Sequence, residues 1–115
     1  MKVFVYYNLH RKLWSLKALE GPNKGRVVAH RHEVVLQKPK AKVSEAGRQR
    51  VLREQRKNVH AGLVGDWHDQ KIIHVEGDLI TYNPYKYDTF VYADDKQPFT
   101  GASLALMQDR KVYVI

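Results

Sequence analysis

The amino-acid sequence predicts an α+β domain in which a mainly antiparallel β-sheet carries one principal basic amphipathic helix. Runs rich in Val, Ile, Tyr and Phe recur in both halves of the chain and are separated by turn residues, which is typical of strands. Between the halves lies a stretch with apolar and charged residues at helical spacing. A length of 115 residues is the usual size of one domain, so we expect a single domain over residues 1–115.

The N-terminal third of the chain predicts a meander of three strands. The β-rich stretches are residues 2–7, 12–19 and 26–36. Residues 20–25 contain Gly, Pro and Asn, which predict a turn between the second and third strands. The basic residues 37–42, interrupted by a proline, are expected to form a connector.

The helix is predicted over residues 45–57. Ser44 can cap its N-terminus, and Glu45 in the first turn suits the positive end of the helix dipole. On a helical wheel, one face is mainly apolar and another is basic. The mainly apolar face comprises Val51, Leu52, Gln55 and Val59, and the basic face comprises Arg50, Arg53, Arg56 and Lys57.

Short β-rich runs resume after the helix. They are residues 58–65, 71–75, 79–83 and 89–93, followed by a last strand in the sequence KVYVI. Glu76, Gly77 and Asp78 predict a hairpin turn between the second and third of these runs. Residues 102–107 fit a strand or a short helix equally well.

The charge is concentrated in the first half of the chain. The net charge is +8 and the pI is about 9.8. Residues 1–60 hold fifteen Lys and Arg against four acids, a net +11, whereas residues 61–115 hold five against eight, a net −3. Such asymmetry indicates one basic face and a polyanionic partner, although a high net charge can also serve solubility alone.

The densest basic run predicts a nucleic-acid-binding site. Lysine and arginine bind phosphates by releasing counterions, and the planar arginine side chain also fits guanine edges. An acidic host protein would satisfy the same charges. The candidate residues are Lys38, Lys40, Lys42, Arg48, Arg50, Arg53, Arg56 and Lys57.

Histidines supply the alternative hypothesis, a small metal-independent nuclease or ribonuclease. Such an enzyme needs a base, an acid and a cation beside the phosphate, which His10, His30 and His60 with Arg11 could provide if the fold gathers them. His30 and His32 would point to the same side of one strand. No metal-ligand spacing is present, so we expect neither a metal nor a cofactor.

Aromatic residues alternate with a lysine in residues 82–90. Such a segment could stack exposed bases, but we interpret Tyr82, Tyr87 and Phe90 as core packing.

Several classes of protein are excluded or disfavoured by composition. The chain has no cysteine, which excludes disulfides, thiolate metal sites and a cysteine nucleophile. It has no apolar run of membrane-spanning length and no signal peptide, so we expect a cytoplasmic protein that does not contact membranes.

A resemblance covers most of the chain. The sequences VYYNLHRKLWSL, GRVVAH, VSEAGRQRVLREQRKNVHAGLVG and YNPYKYDTFV resemble small accessory proteins of tailed bacteriophages and related mobile elements, most clearly in AGRQRVLREQRKNVHA. The resemblance implies an accessory protein that works in the cytoplasm of the bacterial host. It implies no catalytic residue. The main hypothesis is therefore a phage-type binding protein for nucleic acid or for an acidic host protein that handles it, including an inhibitor of such a protein.

Overall fold

The protein is mainly antiparallel β-sheet with one short helix, as a computed structural model of residues 1–115 shows. The elements in chain order are β1 Lys2–Asn8, β2 Leu13–Ala18, β3 Val27–Arg31, β4 Glu33–Val43, α1 Glu45–Glu54, β5 Ala61–Trp67, β6 Asp78–Thr81, β7 Val91–Tyr92, β8 Leu104–Gln108 and β9 Lys111–Val114. All nine strands form one sheet, in the order β3-β2-β1-β5-β4-β8-β9-β6-β7. The predicted three-strand meander is confirmed as β1, β2 and β3.

The sheet is rolled up because β3 and β4 are joined by a single residue, His32. Three strands lie between them in the sheet, so a flat sheet would separate them by about 19 Å. The two peptide units around His32 span at most roughly 7 Å. The first five strands in the order must therefore curl until β3 and β4 meet. The expectation of one strand over residues 26–36 is wrong for this reason, and His32 lies in the bend between β3 and β4.

The hydrophobic core fills the inner face of this roll. Side chains alternate along β1, so Val3 and Val5 are buried inside while Phe4 and Tyr6 lie on the outer face. Thirteen buried apolar residues form one cluster, so one core serves the whole sheet. Each buried Val or Leu contributes about 1.5–3 kcal/mol to the free energy of unfolding.

The segment predicted as a connector is part of β4. Pro39 is fully buried inside this strand, where the register with β5 shifts between Gln37 and Lys40. A bulge tolerates proline because the ladder there does not need its missing N–H. Lys38 adopts a positive φ of 52° and its N–H bonds to the carbonyl of Ser103. The expectation of a connector over residues 37–42 is therefore wrong.

Residues 71–75 do not form the predicted strand, and the expected hairpin at Glu76–Asp78 is absent with it. Ile73 is completely exposed. A β-rich sequence becomes a strand only where another strand offers free N–H and C=O groups. Inner strands already have two neighbours, and only β3 and β7 are edges. The ambiguous residues 102–107 form most of β8, and the last predicted strand is β9.

The helix begins as predicted and ends earlier. The Ser44 side chain accepts a hydrogen bond from the Gly47 N–H at 3.1 Å, which confirms the N-cap. Gln55 is left-handed, with φ of 54°, and ends α1 three residues before the predicted end at residue 57. Arg56 and Lys57 therefore lie beyond the helix. With ten residues, α1 is the one helix, and no helix is long and apolar enough to cross a membrane.

The helix is held against the start of β5 by a close contact that only glycine permits. A β-carbon added at Gly47 would lie 2.6 Å from Cβ of His60. The Ser44 N–H also donates to the carbonyl of His60 at 2.8 Å. These two contacts determine where α1 lies relative to the sheet.

Replacing Gly47 with alanine tests this contact, because local and tertiary effects have opposite signs. Helix propensity alone would stabilise the variant by about 1 kcal/mol. The clash with His60 should instead lower the free energy of unfolding by about 1–3 kcal/mol, measured by urea denaturation. The control is Ala46→Gly at an exposed position of α1, which should lose about 1 kcal/mol through propensity alone. A more stable Gly47→Ala variant would contradict the close packing.

Candidate functional site

The exposed basic residues of the predicted site are concentrated at α1 and the segment after it. Arg50 and Arg53 lie on the helix, and Arg56 and Lys57 lie on the segment that follows. All four side chains are exposed, and none forms an ion pair or a hydrogen bond within the protein. Their charges are therefore available to a partner.

Arg48 differs from these four because its charge is used inside the protein. Only 16% of its side chain is exposed. Its Nε–H donates to the carbonyls of Pro84 and Tyr87, both at 3.0 Å, and its Nη1 donates to Glu45 at 3.1 Å. Arg48 thus ties the loop that follows β6 to the helix.

The three predicted lysines lie on β4. Lys40 faces Val64 and Lys42 faces Gly62 across the ladder with β5. Lys42 lines a shallow depression of about 180 Å³ on the outer face of the sheet, together with Phe4 and Lys17. Because β4 leads directly into α1, this surface continues the positive charge of the helix onto the sheet.

A larger cleft opens on the inner face, beside the C-terminal end of α1. Its volume is about 1020 Å³. Buried core residues such as Leu63, Met107 and Val112 line it, together with residues from the β1–β2 turn, residues 57–62 and the loop after β6. Aromatic residues line this cleft, among them Tyr7, Trp14, Tyr82, Tyr85 and Phe90.

The charged residues of the cleft are all basic. They are Lys57 and Arg110, and no Asp or Glu lines the cleft, whose lining also includes His10 and His60. The chain contains twelve acidic residues, yet none is among the 26 lining residues, so the lining carries an excess of positive charge. This environment favours an anionic ligand.

His60 is fixed by bonds to both ring nitrogens. Its Nδ1 lies 3.1 Å from the backbone and side-chain oxygens of Asn58, which can only accept, so Nδ1–H is the donor. Nε2 of the neutral ring then accepts from the Tyr82 hydroxyl at 2.7 Å. Burial raises the pKa of Tyr82 above its ordinary value, with Arg48 opposing and Glu45 and Asp88 adding to the rise. The hydroxyl therefore keeps its proton.

The three candidate catalytic histidines are not brought together. His10 and His60 line the cleft, whereas His30 does not. His30 lies on β3, where its Nδ1 is 2.8 Å from the hydroxyl of buried Ser15. Arg11 is exposed in the turn after β1. No group of three or more His, Asp or Glu side chains is arranged to hold a metal ion.

In the aromatic segment 82–90, the prediction of core packing is confirmed for Phe90, which packs against the core cluster. Tyr82 and Phe90 are half-buried and stack with centroids 5.2 Å apart and an interplanar angle of 27°. Tyr87 is half-buried, and its carbonyl is held by Arg48. Tyr85 is the exception, because 59% of it is exposed.

Sequence reasoning did not include Tyr7, Trp14 or Arg110, which line the cleft, among its candidates. Tyr7 and Trp14 make an edge-to-face contact, with centroids 5.2 Å apart. The Arg110 guanidinium lies 5.1 Å from the centre of the Tyr7 ring. These residues belong to β1, β2 and the β8–β9 turn, and nothing in their spacing along the chain indicates that they meet.

Comparison with known proteins identifies related phage sequences. No solved structure gives a significant match. The chain is 46% identical over 118 residues to the "Gene 82 protein" of Mycobacterium phage L5, covering 97% of this chain and 94% of that protein. The model of the family described as Mycobacterium phage L5 gene 82 protein matches residues 1–115. The resemblance to tailed-phage proteins is thereby confirmed, and the chain belongs to the family of the Mycobacterium phage L5 gene 82 protein.

Proposed function

We propose that this phage protein binds nucleic acid in the cytoplasm of the bacterial host, through the basic surface formed by α1 and the segment after it. The observation that carries the proposal is how few of the positive charges are compensated. The chain has twenty Lys and Arg, and only Arg31 and Arg48 form ion pairs with carboxylates. A surface with this excess attracts a polyanion at long range and gains affinity by releasing its counterions.

The basic surface comprises Arg50, Arg53, Arg56 and Lys57. Three observations support its role: the residues are exposed, they have no internal partner, and Lys57 also lines the positive cleft. Lys40 and Lys42 extend the same charge along β4, where they can contact further phosphates. Arg48 contributes by positioning the helix and the loop after β6.

The histidine-dependent nuclease receives less support from the geometry. His60 already uses both ring nitrogens, and His30 lies outside the cleft that His10 and His60 share. An acidic protein partner would use the same cations. It differs from nucleic acid in a measurable way, because binding to nucleic acid has the steep salt dependence of counterion release and is competed by unrelated DNA.

A triple variant with Arg50, Arg53 and Arg56 changed to alanine tests the basic surface. Its melting temperature should be nearly unchanged, since exposed charge substitutions usually cost within about 0.5 kcal/mol. Affinity for single-stranded RNA and duplex DNA should fall, and the slope of log affinity against log salt should shrink by about one unit per lost phosphate contact.

The matched control removes three exposed charges elsewhere, as Lys24→Ala, Arg26→Ala and Lys111→Ala. This control should lose much less affinity than the α1 variant. Equal losses would show that net charge alone drives binding, and wild-type affinity in a folded α1 variant would remove the helix from the interface. The same incubations, analysed on denaturing gels, would reveal cleavage and so favour the nuclease.

The variant His30→Ala provides a second test, in which nucleic-acid affinity is expected not to change. The variant should lose about 1 kcal/mol of stability because Ser15 loses one hydrogen-bond partner while Asn8 still donates to it. Nucleic-acid affinity at a fixed salt concentration should stay at the wild-type level, because His30 lies outside the cleft and off α1. A loss of binding without unfolding would place the interface on β3 instead.

A further inference from the structure

The cleft contains aromatic and apolar residues that are not needed for binding phosphate alone. A basic surface suffices to bind a phosphate backbone. The cleft adds five aromatic residues besides Tyr6 to an apolar floor, and its volume of about 1020 Å³ matches the upper end of small-molecule pockets. Its ligand should therefore combine a planar apolar part with an anionic part.

One buried polar group in the wall of the cleft has no partner. Trp14 is only 4% exposed, and its Nε1–H is the single buried side-chain polar atom without a hydrogen bond. A buried donor without an acceptor costs about 1–3 kcal/mol of stability. The Nε1 atom is shielded from solvent, so an acceptor on a ligand such as a nucleobase can reach it only if the surrounding side chains shift.

One aromatic ring at the cleft is free to stack. Tyr85 is 59% exposed and makes no ring contact within the protein, whereas Tyr82 stacks on Phe90 and Tyr7 meets Trp14. The backbone N–H of Tyr85 is held by the side-chain oxygen of Asn83 at 2.9 Å. The ring is thus presented from a fixed turn.

Two cations flank these groups. Lys57 is exposed and unpaired at the C-terminal side of α1, and Arg110 is exposed at the β8–β9 turn. Arg110 lies over the Tyr7 ring and forms no ion pair with a carboxylate, so its N–H groups can donate to a phosphate oxygen. With no carboxylate lining the cleft, nothing there repels such a phosphate.

We propose that the cleft binds one nucleotide, with the base stacked on Tyr85 in the cleft that Trp14 also lines, and with its phosphate on Lys57 and Arg110. The nucleotide can come from a single strand or be free in solution. If the nucleotide belongs to a strand, the inference rests on the proposed function. It limits that function to unpaired nucleic acid, because a paired base in a duplex cannot enter the cleft. The protein then prefers unpaired nucleic acid.

Intrinsic fluorescence provides a direct test, because the chain has only two tryptophans and only Trp14 lines the cleft. Trp67→Phe leaves Trp14 as the sole emitter. This protein is titrated with a short oligothymidine, with an abasic strand of the same length, and with free thymidine monophosphate. Oligothymidine should bind more tightly than the abasic strand, and it alone of the two strands should change the Trp14 emission.

Tyr85→Ala in the same background separates stacking from charge. It should weaken oligothymidine binding by roughly 5- to 150-fold, the range for loss of one base–aromatic stack. Its affinity for the abasic strand and its melting temperature should not change. Tyr85→Phe, which keeps the ring, should restore binding. The triple variant of α1 should instead weaken both strands alike.

The outcomes separate the two proposals. Equal binding of both strands with unchanged emission overturns the nucleotide cleft and leaves the basic surface intact. Failure of both strands to bind, together with failure of the duplex DNA used above, overturns the proposed function. If thymidine monophosphate alone then changes the Trp14 emission, the cleft is supported with a free nucleotide as its ligand. If it does not, the cleft is overturned too.

Discussion

The single residue that joins β3 to β4 is the constraint on which the rest of the structure depends. His32 must connect the first and fifth strands of the sheet order, and a single residue can do so only if the sheet rolls. Rolling gives the sheet a closed inner face for its core, and it leaves a concave opening beside β1, β5 and β9. The cleft is that opening, so the same connection that permits a core also creates the candidate site.

Two contacts then determine how α1 and the loop after β6 are positioned at the edge of this opening. Gly47 lets α1 approach His60 closely, and Arg48 holds the carbonyls of Pro84 and Tyr87. Arg48, one arginine of the basic run, therefore has a structural role: it holds the loop that contains Tyr85. The neighbouring Arg50 and Arg53 stay exposed because the helix turns them away from these contacts. Arg48 and Arg50 have different surroundings because residues two positions apart on a helix point in different directions.

The electrostatics and the shape of the molecule point to the same kind of partner. Eighteen of twenty basic side chains have no carboxylate within ion-pair distance, and the cleft beside them is lined without any acid. In the proposed function, long-range attraction from the surface would concentrate a polyanion near the cleft, where the aromatic rings would add short-range selectivity.

The sequence by itself determined the mainly antiparallel sheet, the strands near each terminus, and the start of α1 at the Ser44 cap, because alternation and capping depend on neighbours in the chain. Tertiary structure alone decided that β4 continues through Pro39, that residues 71–75 form no strand, and that α1 ends at Glu54. It also brought Trp14, Lys57, Tyr85 and Arg110 to one cleft. Strand pairing, bulges and clefts depend on which distant segments meet, and composition and spacing along the chain carry no record of those contacts.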